Sequence, residues 1–532
     1  MTTDCIYDVI VVGAGSAGCI VASRLSADAR RRVCVIENGG SDRSPAIHIP
    51  GGIPFIYGNP RYDYRFVGAP QTELYGRRIS INRGKTLGGS SSINSMLFIR
   101  GVPRDYDEWR SLGCVGWGWE NVLPVFKSLE RNLLGQSPEW HGFEGELPVD
   151  RPGEPNVVSR MFVHAADAIG LSENTDFNGE KQDGLGIYNV TQQNGQRCSS
   201  YRAFLKPVEQ RANLTILTKT EVRRIIFDGH RAAGVEVICD GRTEILYTRE
   251  EIILSAGAIN SPALLMRSGI GPGGALQKAG IPVRQHLPGV GQNLQDHVDG
   301  MITVRSRKTH SLGLSLSKLP ELLSSPWHYW RSRTGLLTTN YVEAGGFART
   351  RYAKDVPDIQ FHFIPAYRVH DGSVFQMGHG HALQTCVLRP RSVGEIRMTP
   401  SGDCEIDNRF LSDQEDALTL TEGIKMARRI LAHPVFDVLG GVEVKPGKDV
   451  QTDDELLDFL RRHALTVYHP VGTCKMGNDD LSVCNHETLC VNGVSGLRVA
   501  DASVMPRLIG GNTNVPSMMI GEMCARMVLA ER

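Results

Sequence analysis

Tyr7-Asp8-Val9-Ile10-Val11-Val12 leads directly into Gly13-Ala14-Gly15-Ser16-Ala17-Gly18 near the start of the chain. The first run is short, apolar and rich in β-branched residues, which is typical of a buried strand. In such a turn, Gly13 permits the tight bend, Gly15 lets the backbone approach a pyrophosphate, and Gly18 allows close helix–strand packing. We therefore predict a βαβ dinucleotide site with strands at 7–12 and 32–37 and a helix at 17–25, in which Ser16 and Ala17 also contact the cofactor.

The acidic residue that such a site needs is Glu37, which lies 19 residues past Gly18 at the end of the second predicted strand. Its carboxylate can accept hydrogen bonds from the adenosine ribose hydroxyls, and it argues against a 2′-phosphate. The glycine fingerprint alone does not distinguish FAD from NAD.

Length and charge exclude several function classes. A chain of 532 residues exceeds the size of a single core, so we expect two intertwined domains. The 58 Lys and Arg residues balance the 58 Asp and Glu residues, which disfavours nucleic acid and polyanionic substrates. No apolar run approaches the length of a spanning helix, and no Sec signal is apparent. These features predict a cytoplasmic protein, and they leave open peripheral attachment to the inner face of the cytoplasmic membrane and a homo-oligomeric state.

The twelve cysteines are scattered without a CxxC pair, which favours free thiols in a reducing compartment. Cys484 and Cys490 flank His486, but their spacing matches no standard zinc pattern, and we predict no metal site. The aromatic stretch Trp327, Tyr329 and Trp330 fits either a site entrance or core packing.

Two long motifs distinguish between the possible cofactors. The segment Gly84-Lys85-Thr86-Leu87-Gly88-Gly89-Ser90-Ser91-Ser92-Ile93-Asn94 resembles the first signature of the glucose–methanol–choline (GMC) oxidoreductases. The segment from Gly257 to Gly271 resembles the second. Together with Gly289 to His297 and the C-terminal motifs, the resemblance covers essentially the whole chain. The motifs are most similar to those of bacterial choline, L-sorbose, polyethylene glycol and medium-chain alcohol dehydrogenases.

The resemblance implies FAD as the cofactor. Its pyrophosphate and isoalloxazine are expected along the 88–96 segment, with Ser95 near the reactive N5 edge, and the contacts implied there are Gly88, Gly89, Ser90, Asn94, Ser95 and Met96. Val222 is implied to meet the adenine through its backbone, Asp501 and Ala502 to lie along the ribitol–phosphate chain, and Asn514 to lie on the cofactor side. Some family members attach FAD through a histidine at the position of Ile93, and since Ile93 has no nucleophilic atom, we predict non-covalent FAD.

The resemblance also implies the catalytic pair. An alcohol becomes a good hydride donor only as its proton leaves, and a neutral imidazole is a natural base. His469, in Tyr468-His469-Pro470-Val471-Gly472-Thr473, is implied to be that base, and Asn512 to be the second active-site group. Asn512 stands where other members carry a second histidine. An amide can hydrogen-bond the alcohol oxygen but cannot take its proton, although an asparagine after two glycines also fits a simple turn.

Glu343 matches a family position that faces the cationic head of the substrate in choline-oxidising members. Glu343 lies in glycine-rich and apolar sequence, which is notable because an unpaired carboxylate is costly to bury. Similar sequences occur in dehydrogenases of uncharged polyols, and both a substrate-facing and a structural Glu343 stay open.

The predicted fold is mixed α/β, with a Rossmann-like FAD-binding domain interleaved with an antiparallel-sheet substrate domain. We place the FAD-binding domain at 1–155, 213–300 and 456–532, and the substrate domain at 156–212 and 301–455. Within these parts we expect a loop at 42–76, a β-meander at 214–254, and helices at 262–266, 413–432, 452–463 and 517–530.

The predicted function is FAD-dependent oxidation of a primary alcohol to the aldehyde or ketone, with hydride transfer to flavin N5 and a quinone-type acceptor. The alternatives are an oxidase that reduces O2 to hydrogen peroxide, a hydroxynitrile lyase and a redox-silent flavoprotein.

Overall fold

Two seven-stranded sheets organise the protein, which a computed structural model describes for residues 6–368 and 377–531. One sheet has a parallel core and the other is antiparallel throughout. The predicted mixed α/β fold with a parallel nucleotide-binding sheet and an antiparallel second sheet is confirmed.

The first sheet is built around the strand Ile6–Val12, which pairs in parallel with Val33–Ile36 on one side and with Arg242–Leu254 on the other. Arg242–Leu254 is one strand of 13 residues. Its first half completes the predicted antiparallel meander, and its last residues pair in parallel with Leu497–Val499. From edge to edge the strands are Leu214–Leu217, Val33–Ile36, Ile6–Val12, Arg242–Leu254, Arg231–Cys239 and Thr220–Asp228.

The second sheet supplies the opposite wall of the site. Its central strands carry buried side chains at nearly every position, as expected for strands covered on both faces. In order the strands are Val442–Lys445, Val298–Ser306, His379–Val387, Ile359–Ile364, Ala344–Ala348 and Gly184–Ile187, and Leu465–Thr466 pairs with the start of Val298–Ser306.

The helices begin where the local sequence supplies caps. Asp413 accepts a hydrogen bond from the backbone N–H of Glu415, and Thr452 forms a capping box with Glu455. The helices predicted at 413–432 and 452–463 are confirmed, while those predicted at 262–266 and 517–530 begin earlier. Helices of eight or more residues in the described ranges are Gly18–Leu25, Pro103–Ser111, Trp119–Leu129, Val157–His164, Gly257–Arg267, Leu319–Ser332, Gln414–Leu431, Asp453–His463 and Asn514–Ala530.

The segment predicted as a loop at 42–76 is more structured than expected. It contains the short helices Pro45–His48 and Ile53–Ile56, and its strand Phe66–Gln71 forms a hairpin with Arg77–Ile81. The high content of Pro, Gly and Tyr hid these elements because each is too short to show a periodic pattern.

The sheets also bear on the predicted domain boundaries. Val298–Ser306 crosses the boundary predicted at 300, and Leu465–Thr466 joins the second sheet although it was assigned to the FAD-binding domain. Within the described residues, no helix has both the length and the apolar character needed to cross a bilayer.

Candidate active site

A cavity of about 540 Å³ lies between the two sheets and collects most of the predicted site residues. It draws on segments from both ends of the chain and from the middle of the second sheet. The predicted residues in its wall are Gly13, Gly15, Ser16, Ala17, Glu37, Gly89, Ser90, Asn94, Ser95, Met96, Val222, His469, Asp501, Ala502, Asn512 and Asn514. Gly18, Gly88 and Glu343 lie outside it.

The glycine turn has the geometry that an approaching pyrophosphate requires. Gly13 has φ +103°, and a Cβ on Gly18 would lie 1.9 Å from the carbonyl oxygen of Gly13, so Gly18 serves helix–strand packing. A Cβ on Gly15 would meet only one protein atom within 4 Å, which means that its open side is the cavity. The helix Gly18–Leu25 has no acidic residue in its first turn, so its N-terminus can attract an anion.

Glu37 is held in place by the turn that it is predicted to serve. Its carboxylate accepts hydrogen bonds from the backbone N–H groups of Ala14 (3.1 Å) and Gly39 (2.8 Å). Burial raises the pKa of this carboxyl to about 7. Because each oxygen retains a further lone pair, Glu37 can still accept a hydrogen bond from a sugar hydroxyl.

The 88–96 segment is fixed by hydrogen bonds that leave one side facing the cavity. Gly88, with φ +88°, donates its N–H to the carbonyl of Ala14. The Asn94 side-chain oxygen accepts from the backbone of Met96 and from the buried guanidinium of Arg197. Gly88 therefore shapes this segment without lining the cavity.

The C-terminal cofactor residues are tied to the N-terminal turn and to the second signature. The Ser16 hydroxyl donates to the Asn514 side-chain oxygen at 2.7 Å. The Asp501 carboxylate accepts from the Ser261 hydroxyl at 2.6 Å and from the backbone N–H of Gly257 at 2.9 Å. Three segments far apart in the sequence thus form one continuous cradle.

His469 and Asn512 meet at the other end of the cavity. The Asn512 Nδ2 lies 3.2 Å from His469 Nε2, which places both side chains within reach of one small molecule. Burial, followed by the influence of His297, lowers the pKa of His469 well below its usual value. His469 is therefore neutral at physiological pH, which is the form that a base requires.

A second histidine fixes the tautomer of His469. His297 Nε2 lies 3.1 Å from the carbonyl oxygen of Leu388, which can only accept, so this nitrogen carries the proton. Burial lowers the pKa of His297 to about 3, and its other nitrogen, Nδ1, is therefore a bare acceptor 2.9 Å from His469 Nδ1. His469 must donate from Nδ1, which leaves the lone pair of its Nε2 directed toward Asn512 and the cavity.

The backbones of the two histidines are joined by Asp296. Its carboxylate accepts from the backbone N–H of His297 (2.9 Å) and of His469 (2.8 Å), and also from the Thr466 hydroxyl (2.6 Å). Tyr468, immediately before the base, has φ +67°, an uncommon conformation for an aromatic residue. These contacts hold His469 in a defined place despite the strained residue beside it.

Asn512 is oriented by the second sheet. Gln360 donates from Nε2 to the Asn512 side-chain oxygen at 3.1 Å and also to the hydroxyl of Tyr188 at 3.2 Å. With its oxygen occupied, the Asn512 amide presents its Nδ2 hydrogens to His469 and the cavity. A simple turn role would not need this support.

Glu343 does not face the cavity. It is 2 % exposed, and its carboxylate accepts from the hydroxyls of Ser159 and Thr339 and from the backbone N–H of Asn156, each at 2.7 Å. These donors satisfy the buried charge, so the substrate-facing interpretation of Glu343 is replaced by a structural one.

The residues that position His469 and Asn512 were not predicted from the sequence. Asp296 and His297 end a motif that was noticed only as a resemblance, and Gln360 and His362 lie in a strand that gave no chemical signal. Alternation in Ile359–Ile364 was the available clue, because a Gln and a His at every second position share one face of the strand. His362 lines the cavity, and burial lowers its pKa to about 4.

Comparison with known proteins identifies the family. The profile of the N-terminal domain of GMC oxidoreductases matches residues 7–299, and that of the C-terminal domain matches residues 390–521. The chain belongs to the GMC oxidoreductase family. It is similar to an alcohol dehydrogenase [acceptor] of Pseudomonas putida, with 43 % identity over 98 % of this chain and 96 % of the relative. An oxygen-dependent choline dehydrogenase of Rhizobium rhizogenes is 39 % identical over the same shares of both chains.

Solved structures share this fold. Pyridoxine 4-oxidase from Mesorbium loti superimposes with a TM-score of 0.87 and 30 % identity, covering 99 % of this chain and 100 % of the other. A formate oxidase variant from Aspergillus oryzae gives 0.91 and 26 % identity, covering 99 % and 98 %. This GMC oxidoreductase is therefore an FAD-dependent enzyme that acts on CH–OH groups of alcohols, as the motifs predicted.

Proposed function

We propose that this GMC oxidoreductase oxidises an uncharged primary alcohol to the aldehyde, with His469 as the base, and delivers the electrons to a quinone-type acceptor. The observation that carries the proposal is the neutral His469 whose Nε2 lone pair points at Asn512 and the cavity.

His469, Asn512 and His297 each have a role in removing the proton of the alcohol. The alcohol hydroxyl donates its proton to His469 Nε2, and Asn512 Nδ2 donates a hydrogen bond to the alcohol oxygen as negative charge grows there. His297 Nδ1 accepts from His469 Nδ1 and steadies the imidazolium that forms. Bound FAD supplies the oxidant that takes up the hydride from the alcohol carbon.

An uncharged substrate is favoured by the charges around the cavity. The acidic residues in its described wall are Glu37, Glu221 and Asp501, all in the segments that form the predicted nucleotide cradle. The wall near His469 contains the cations Arg83 and Arg368 instead. Among the described wall residues, a quaternary ammonium substrate would find no carboxylate near His469, which argues against choline.

The electron acceptor is inferred from the relatives. Similarity to the P. putida alcohol dehydrogenase [acceptor] supports a non-oxygen acceptor. An oxidase is the second candidate, because pyridoxine 4-oxidase and formate oxidase share this fold over nearly the whole chain.

The test is anaerobic stopped-flow reduction of the bound flavin at about 450 nm, using short glycols, medium-chain primary alcohols, L-sorbose and choline, followed by admission of air. We expect an uncharged primary alcohol to bleach the flavin and reoxidation in air to be slow compared with reoxidation by a quinone analogue. Rapid reoxidation in air would assign the enzyme to the oxidases, and bleaching by choline alone would refute the uncharged substrate.

A variant pair tests the base. His469→Ala should slow flavin reduction by about 10²- to 10⁴-fold, the usual contribution of a general base, and should retain FAD. His230→Ala, which changes an exposed histidine, is the matched control and should leave the rate unchanged. Reduction of the His469→Ala enzyme at the wild-type rate would refute the assignment.

A further inference from the structure

The helix Leu319–Ser332 presents an apolar stripe to solvent. The stripe consists of Leu316, just before the helix, and of Leu319, Leu323, Trp327 and Trp330, which are 47–88 % exposed. Their spacing of three or four residues puts them on one side of the helix. The indole rings of Trp327 and Trp330 lie 5.3 Å apart.

The stripe is not the core-facing side of this helix. Tyr329 and Ser325 face inward, and the Tyr329 hydroxyl donates to the carbonyl of Gly195 at 2.9 Å. The helix is therefore anchored through its other side, and core packing does not explain the two tryptophans. A contiguous exposed apolar surface of this kind marks an interaction site.

Local charge indicates what the stripe contacts. The chain as a whole is neutral, but residues 307–333 contain five Lys or Arg residues and one acidic residue, a formal net charge of +4. Leucine and tryptophan on one side of a helix with cations beside them is typical of helices that lie in the interface of an anionic bilayer. Two copies meeting through this stripe would bring like charges together.

The stripe is connected to the wall of the cavity near His469. Leu312 forms a bridge with Ala366, which lines the cavity, and the helix leads through Leu336–Thr338 to Tyr341, another lining residue. A partner surface bound to the stripe would therefore lie close to the substrate end of the cavity.

We propose that this apolar stripe docks the enzyme on an anionic lipid surface, with the helix parallel to the membrane plane and the indole rings at the headgroup level. Docking holds the enzyme at a surface from which lipid-soluble molecules can enter the cavity. It does not depend on the proposed alcohol chemistry, but it would place a membrane quinone acceptor next to the site.

The experiment is co-sedimentation of the FAD-loaded enzyme with phosphatidylcholine vesicles, with and without phosphatidylglycerol. Wild-type enzyme should pellet with the anionic vesicles, and raising the salt from about 0.1 M to about 0.5 M should weaken binding because the cations are screened. The triple variant Leu323→Ser, Trp327→Ser, Trp330→Ser should bind at least about tenfold more weakly. The control is Val115→Ser, Val438→Ser, Leu529→Ser, which removes three comparably exposed apolar side chains elsewhere.

All three proteins should show the same dye-linked activity and FAD content, because none of the changed residues touches the cavity. Absence of wild-type pelleting, or equal pelleting of the stripe variant, would overturn the proposal. Concentration-dependent dimerisation that the stripe variant abolishes, seen by sedimentation velocity without lipid, would assign the surface to a second copy instead. None of these outcomes depends on which alcohol or acceptor the enzyme uses.

Discussion

Replacing His297 by leucine tests whether this buried histidine fixes the tautomer of the base. Leucine fills a similar volume but offers no acceptor to His469 Nδ1, which lies 2.9 Å from His297 Nδ1. The proton of His469 then either stays on Nδ1 without a partner or moves to Nε2, where it blocks the alcohol.

The size of the effect follows from the buried hydrogen bond. Leaving a buried donor unsatisfied costs about 1 to 3 kcal/mol, and the same energy in the barrier slows the reaction by roughly 5- to 150-fold. His297→Asn is the conservative partner, because its side-chain oxygen can occupy the position of Nδ1 and accept the same hydrogen bond. We expect His297→Asn to recover most of the rate, although it loses the contact with the Leu388 carbonyl.

The assay is the anaerobic rate of flavin reduction at saturating alcohol, measured together with KM and the pH profile. A positioning role predicts a lower limiting rate with little change in KM, and FAD content and Tm should show that both variants are folded. A leucine variant that reduces its flavin as fast as wild type would refute this reasoning, as would equal loss in the leucine and asparagine variants.

Three further predictions concern the cofactor and Glu343. Acid precipitation should release all flavin into the supernatant, since Ile93 has no nucleophile for a covalent bond, and a yellow pellet would contradict this. The apoprotein should bind FAD more weakly as the pH falls below about 7, by up to about tenfold per pH unit. The reason is that the pKa of Glu37 is raised to about 7, and only its carboxylate form can accept hydrogen bonds from both ribose hydroxyls. Glu37→Gln should abolish this dependence, measured by quenching of FAD fluorescence, and a persistent slope in the variant would assign the proton to another group. Glu343→Gln should lower the free energy of unfolding by about 1 to 3 kcal/mol, because the amide NH2 group replaces one of the two oxygens that accept hydrogen bonds from three donors. The KM for an uncharged alcohol should stay unchanged. A selective rise in KM would restore a substrate role for Glu343.

The parts of the fold that could be predicted from the sequence are those whose structure is determined by residues close together in the chain. The strand Ile6–Val12, the glycine turn and the helix after it follow from backbone conformation and short-range packing, and their bounds came close to the observed ones. Thr452 and Glu455 likewise predict the start of their helix because both partners of the capping box are neighbours in sequence. The catalytic residues came from motifs, not from any physical property of the isolated segments.

The arrangement around the base could not be predicted because its partners are distant in the chain. His297 and His469 are 172 positions apart, and Gln360 reaches Asn512 from a strand of the other sheet. Glu343 is a further example. Its partners at positions 156 and 159 are distant in sequence, so the residues around Glu343 could not show that its carboxylate is satisfied, and a substrate-facing role stayed open. Burial and charge at a site depend on which strands become neighbours, which only the folded chain determines.

The hydrogen bond between Ser16 and Asn514 spans 498 positions and has a consequence for biosynthesis. A nascent chain on the ribosome can form the βαβ unit early, but it lacks the strand Leu497–Val499 and the helix Asn514–Ala530 until those residues have been synthesised. During that interval the glycine turn lacks the hydrogen bond between Ser16 and Asn514. The cradle is therefore complete only once Asn514 has been synthesised, and we expect FAD to bind after that point.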